Sequence, residues 1–310
     1  MDVDDALWLH GGMTPASVLP TRLRAAAPAS RHSRSLALVL TSMTSVQVGA
    51  AASTYLFGRL GVAGTTWLRL CWAGVMLLLI ARPRIGRLAP RDLAAAAALG
   101  VTSALMTLAF FGAVSRLPLG TAVAVEFLGP LGVAAVRSRR RMGLVWAVVA
   151  SLGVAALTRP WSQSPSDHIG LVLAVAAAIA WAGYIVLTAH VGGRCSGLTG
   201  LAISLPVAAL VAAPLGAPQA LPHLTVTGAL ACAALAVLGP ALPYAAEMTA
   251  LRVLEPAVFG VWMSLEPAIA TAVGLLVLHQ VPDVVQLAGV LLVVAASVGA
   301  ERSHPISPPS

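Results

Sequence analysis

Four ionisable residues stand inside long apolar runs: Glu126 in PLGTAVAVEFLGPLG, Glu266 in FGVWMSLEPAIA, Arg69 in TTWLRLCW and Glu247 in LPYAAEM. A charge at the centre of a bilayer costs at least about 2.5 to 3.5 kcal/mol, so such a residue must face a cavity or a partner and is presumed functional. Glu126 and Glu266 fall near the middle of their runs. A carboxyl in a low-dielectric interior is more easily protonated than one in water, so either residue could carry a proton. Arg69 is only about 8 Å deep at 1.5 Å per residue; it can snorkel to the outer surface or turn inward toward an anion. Glu247 is either part of the same site or a partner for Arg252 at the inner interface. Two neutral polar residues join the candidates, Gln47 and Tyr244. Gln47 could hydrogen-bond a substrate or a neighbouring helix.

Prolines sharpen the pattern. Pro130 has no N–H to give the carbonyl four residues earlier, so the backbone oxygen of Glu126 is freed beside its own carboxyl. Pro267 does the same for Met263, and Pro240 and Pro243 interrupt a third run. Kinked helices with free carbonyls at corresponding depth suit a midplane binding site, although such kinks also serve helix packing alone. Aromatic residues lie near these positions (Phe110, Phe111, Phe127, Trp181, Tyr184, Trp262), where packing is their commoner role.

These residues sit on elements fixed by composition. Of the 310 residues, 58% are hydrophobic and 10% charged, against roughly a quarter charged in a soluble domain. A window of about 20 apolar residues, the length of a membrane span, predicts helices over Leu36–Phe57, Gly64–Ala81, Leu93–Val114, Leu119–Val136 and Met142–Thr158. It predicts five more over Ile169–Thr188, Leu198–Gly216, Leu224–Pro243, Ala257–Leu278 and Val281–Ala300. The expected fold is an all-α integral membrane protein of about ten transmembrane helices. Residues 1–35 read as a disordered basic cytoplasmic tail and 301–310 as a cytoplasmic C-terminal tail, with spans one to five in 36–158 and spans six to ten in 169–300.

The net charge of +8 is carried by Arg alone, and its placement speaks for topology, not nucleic-acid binding. With the N-terminus inside, the inner segments hold Arg22, Arg24, Arg31, Arg34, Arg82, Arg84, Arg87, Arg91, Arg137, Arg139, Arg140, Arg141, Arg194, Arg252 and Arg302. The outer loops hold only Arg59, Arg116 and Arg159. Both termini are therefore expected in the cytoplasm.

The two halves also resemble each other at an offset of 137 residues: Ala113, Leu117, Leu128 and Pro130 map onto Ala250, Leu254, Leu265 and Pro267. Five spans per half is odd, so the second copy enters from the opposite side. The expectation is two inverted five-helix repeats, an architecture of secondary transporters with the substrate site between the halves. An intramembrane enzyme fits poorly, because every Asp lies in a tail or loop and HExxH is absent. No cofactor or metal is implied. Cys71, Cys195 and Cys232 show no ligand spacing and read as inert thiols. Ala- and Gly-rich helix faces would permit a homodimer, but serve packing within one bundle equally well.

Taken in order and at their spacings, SVQVGAA, WLRL, PLGTAVAVEFLGPLGVA, LPYAAEM and FGVWMSLEPAIA resemble the drug/metabolite transporter superfamily in its EamA-type branch, over about Ala37 to Gly299. The resemblance implies a multi-pass protein of the bacterial inner membrane with a cavity between the repeats. It also implies proton-driven export of a small zwitterion such as threonine or homoserine, the same fold exporting another metabolite or drug being the alternative. On that reading Glu126 and Glu266 alternate between the substrate ammonium and a proton, and Arg69 attracts the carboxylate.

Overall fold

In the computed structural model, residues 27–83, 88–137, 141–158, 165–192, 198–243, 246 and 256–302 are described. They are helical throughout, with no strand among them. Six segments are long and apolar enough to cross a membrane: Ser35–Leu60, Val62–Ala81, Pro90–Val114, His168–Val191, Thr199–His223 and Val261–Leu278. Four shorter apolar helices accompany them: Leu119–Val133, Val145–Leu157, Val226–Gly239 and Val284–Ala300. Each segment overlaps one of the apolar runs of the sequence.

The first helix, α1 (Ala27–Leu60), begins inside the stretch assigned above to the tail, with Pro28 in its first turn, where the missing N–H costs nothing. Gly61, at φ +74°, turns the chain into α2 (Val62–Ala81). The exposed amides at the start of α2 find an acceptor far along the chain: Gln219 Oε1 receives the Ala63 and Gly64 N–H groups at 3.1 and 3.3 Å. Pro90 opens α3 (Pro90–Val114) in the first turn, where its missing N–H costs nothing.

The kinks expected in the fourth and ninth runs take the form of short interruptions of the helix. The fourth divides into α4 (Leu119–Glu126) and α5 (Leu128–Arg137), with Phe127 between them. The ninth divides into α10 (Pro256–Met263) and α11 (Glu266–Leu278), separated by a turn at Ser264 and Leu265. Proline is the cause in both: without an N–H at Pro130 or Pro267 the ladder has no bond to carry it across the break, and the Leu265 amide bonds back to Trp262 O at 3.0 Å instead. The remaining helices are α6 (Arg141–Thr158), α7 (Pro165–Gly192), α8 (Thr199–Ala220), α9 (Val226–Ala236) and α12 (Val284–Arg302). The expected interruption at Gly239-Pro240 takes the form of a π-helical turn over Val237–Ala241 directly after α9, with the Leu242 amide reaching Val237 O.

Close pairs hold the bundle: α2 with α8, α3 with α7 and α8, α6 with α12, and α4 with α11. Side-chain size sets the approach. A Cβ on Gly153 of α6 would sit 2.8 Å from the Gly289 carbonyl of α12, and one on Gly120 of α4 would collide with Thr271 of α11. Small residues allowing backbones to touch are the usual basis of packing where lipid removes the hydrophobic drive. The largest apolar cluster joins Ala50 and Ala51, Phe111 to Leu119, Val123 and Val125, Ala174, Ala270 and Val273, and so binds α1, α3, α4, α7 and α11 into one unit. Gln280 completes it by accepting the Leu119 N–H at the start of α4 at 2.9 Å, while its own amide caps α11 at Gly274 O.

Candidate functional site

The two breaks meet inside the bundle. Glu126 is the last residue of α4 and Glu266 the first of α11. Both are buried, and both line one cavity of about 380 Å³ whose walls come from α1, α2, α3, α7, α8, the π-helical turn and the two broken runs. The carboxyls lie within coulombic range of each other. Each stands at a junction between two consecutive helices, beside the C-terminal end of one and the N-terminal end of the next.

Gln47, 1% exposed on α1, donates from Nε2 to Glu266 Oε1 at 3.0 Å. Of the two roles open to it in the sequence, the structure gives it a contact with a neighbouring helix, and that contact is a site residue. Its Oε1 is buried without a hydrogen-bond partner.

Arg69 turns inward and does not snorkel. Its Nη1 donates to Ser53 Oγ at 2.8 Å, and its guanidinium stands 4.6 Å over the Phe111 ring, a cation–π contact. Among the described residues it makes no salt bridge. Gly239 in the π-helical turn gives the guanidinium room, since a Cβ there would lie 2.8 Å from Nη2. The turn is itself held by α1: Ser45 Oγ donates at 2.8 Å to the Leu238 carbonyl.

The cavity is thus lined by one basic side chain, Arg69, and two acidic ones, Glu126 and Glu266. Phe110, Phe111, Trp181 and Tyr184 form aromatic walls, and Trp181 packs edge-on to Phe127 at the break, with centroids 5.6 Å apart. Such an arrangement can hold a small solute bearing both charges. Among the described residues no group of three or more His, Cys, Asp or Glu could hold a metal ion.

Residues 168–300 match the EamA-like transporter family. The threonine/homoserine exporter RhtA of Escherichia coli (strain K12) is 37% identical over 267 residues, covering 85% of this chain and 90% of the relative. Its counterpart in Salmonella typhimurium (strain SL1344), with the same name, is 37% identical over 265 residues, 84% of this chain and 89% of the relative. The chain belongs to the EamA-like transporter family.

A crystal structure of another protein shares the fold of this EamA chain with a TM-score of 0.55 at 16% identity, over 88% of this chain and 97% of the other. Of the site residues expected from the sequence, the EamA fold brings Glu126, Glu266, Arg69 and Gln47 to one cavity. Pro130 and Pro267 lie at the breaks that deliver the two carboxyls. Pro240 falls in the π-helical turn and Pro243 in the helical residues after it. Tyr244 and Glu247 lie outside the described residues, as do residues 1–26 and 303–310 of the tails. Sequence reasoning missed Ser53, Ser103 and Thr107. The latter two share an α3 face with Phe111 at i, i+4 and i+8, a spacing legible in the third run once that face is known to be wet.

Proposed function

We propose that this protein is a secondary active transporter of the bacterial inner membrane that exports small amino acids such as threonine or homoserine in exchange for protons. The observation that carries this is one cavity lined by both basic and acidic side chains: Arg69, held by Ser53 and Phe111 and in no salt bridge among the described residues, and Glu126 and Glu266. A zwitterion is the solute whose two charges answer that pattern. Arg69 takes its carboxylate, while Glu266, oriented by Gln47, takes its ammonium. Glu126, buried in the wall of the same cavity, carries the proton. The likeness to proteins named threonine/homoserine exporter supports the substrate class.

The protein is read as about ten transmembrane helices in two inverted repeats, both termini in the cytoplasm, working by alternating access. The packing of α2 on α8 and α6 on α12 supports this, since the 137-residue offset makes the members of each pair counterparts. The aromatic walls favour a second reading, the same mechanism with a bulkier amino acid as cargo.

Purified protein in liposomes loaded with labelled threonine or homoserine, under an imposed pH gradient, tests the proposal. Gradient-driven efflux by wild type and its loss in a folded Glu126→Gln variant are expected. Undiminished efflux by that variant would remove Glu126 from the mechanism, and competition by aromatic amino acids alone would favour the second reading.

A further inference from the structure

Two hydroxyls on the α3 wall of the cavity have committed their protons. Ser103 Oγ donates to the Leu99 carbonyl at 2.8 Å, and Thr107 Oγ1 donates to the Ser103 carbonyl at 2.7 Å. A hydroxyl has one hydrogen to give and two lone pairs to receive. With the hydrogen spent on the helix backbone, each oxygen presents acceptor capacity alone to the space it lines. Both residues line the cavity that holds Glu126, Glu266 and Arg69, and they are stacked about one helical turn, roughly 6 Å, apart. Met106, Phe110 and Phe111, the other α3 residues lining the cavity, offer no donor or acceptor of comparable strength.

We propose that Ser103 and Thr107 read the side chain of the transported amino acid, accepting a hydrogen bond from its hydroxyl, so that the cavity selects hydroxylated amino acids over their deoxy isosteres. This rests on the amino-acid exporter reading above and adds the determinant of specificity. The charged groups recognise the ammonium and carboxylate that all amino acids share; they cannot tell threonine from valine, whose side chains differ by a hydroxyl in place of a methyl. An acceptor-only wall can. Threonine gives its proton to Thr107 or Ser103, whereas valine places a methyl against two oxygens and leaves both without a donor, a loss worth about tenfold in rate at one net hydrogen bond.

The test compares initial rates of threonine and valine efflux from the same proteoliposomes, for wild type, a Ser103→Ala/Thr107→Val double variant and Thr107→Ser. Wild type is expected to favour threonine by about tenfold. The double variant should bring the ratio to within about twofold of unity with valine efflux maintained, and Thr107→Ser should keep the wild-type ratio. Because the ratio is taken within one preparation, partial unfolding lowers both fluxes and does not imitate a change of preference. An unchanged ratio in the double variant, or a wild type that moves threonine without preference, overturns the inference and leaves the exporter reading in place. A folded wild type that moves neither amino acid overturns the exporter reading itself, and this inference with it.

Discussion

The Gln47 side-chain amide donates to Glu266 Oε1 at 3.0 Å, tying the middle of α1 to the first residue of α11. One carboxylate oxygen is thereby oriented from the side of the helix that does not carry it. The pair is buried, and burial makes an imperfect partner costly.

Replacing Gln47 by Leu removes the donor to Glu266 and the buried Oε1 that has no partner. Efflux should fall by about tenfold or more, following the loss of a hydrogen bond to a charged group, while the purified protein still elutes as a single folded species. A Gln47→Leu protein with wild-type efflux would show that Glu266 needs no help in placing its carboxyl.

Gly239 makes a sharper test of Arg69. An alanine there would put a methyl 2.8 Å from Nη2 and push the guanidinium off the Phe111 ring. The KM for the amino acid should rise by about tenfold, roughly 1.4 kcal/mol of lost binding. Gly58→Ala, which meets nothing within 4 Å, is the matched control and should be silent. Equal kinetics in the two variants would count against a role for Arg69 in holding the carboxylate.

At the end of the bundle away from the breaks, Gln280 caps α4 through Leu119 N. Gln280→Leu leaves that amide without its acceptor, and a lost cap costs about 1 kcal/mol. A lowered unfolding temperature in detergent is expected for Gln280→Leu, and near wild-type unfolding for Gln280→Glu, which keeps an acceptor oxygen. Identical unfolding of all three proteins would mean that water satisfies the Leu119 amide as well.

The helices and their breakers were legible in the chain because apolar length and the missing proline N–H act locally. That is why Glu126, Glu266, Pro130 and Pro267 stand out from composition and spacing alone. Local rules also have a limit at the same place: they predict a kink at Pro130 and Pro267 but not its form, which is a single turn residue at Phe127 and a two-residue turn at Ser264 and Leu265.

By itself the sequence determined that the chain is built of membrane-crossing helices, where polar groups interrupt them and which charges lie at depth. Those follow from transfer costs that each residue meets wherever the helix sits. Only the tertiary structure decided that Arg69 turns inward to Ser53 and Phe111, that Gln47 bonds Glu266 and that Ser103 and Thr107 face the same space. Gln47 and Glu266 are 219 positions apart, and no local propensity couples residues at that distance. The packing of α1, α2, α3 and α11 around one cavity is what puts them within a hydrogen bond of each other.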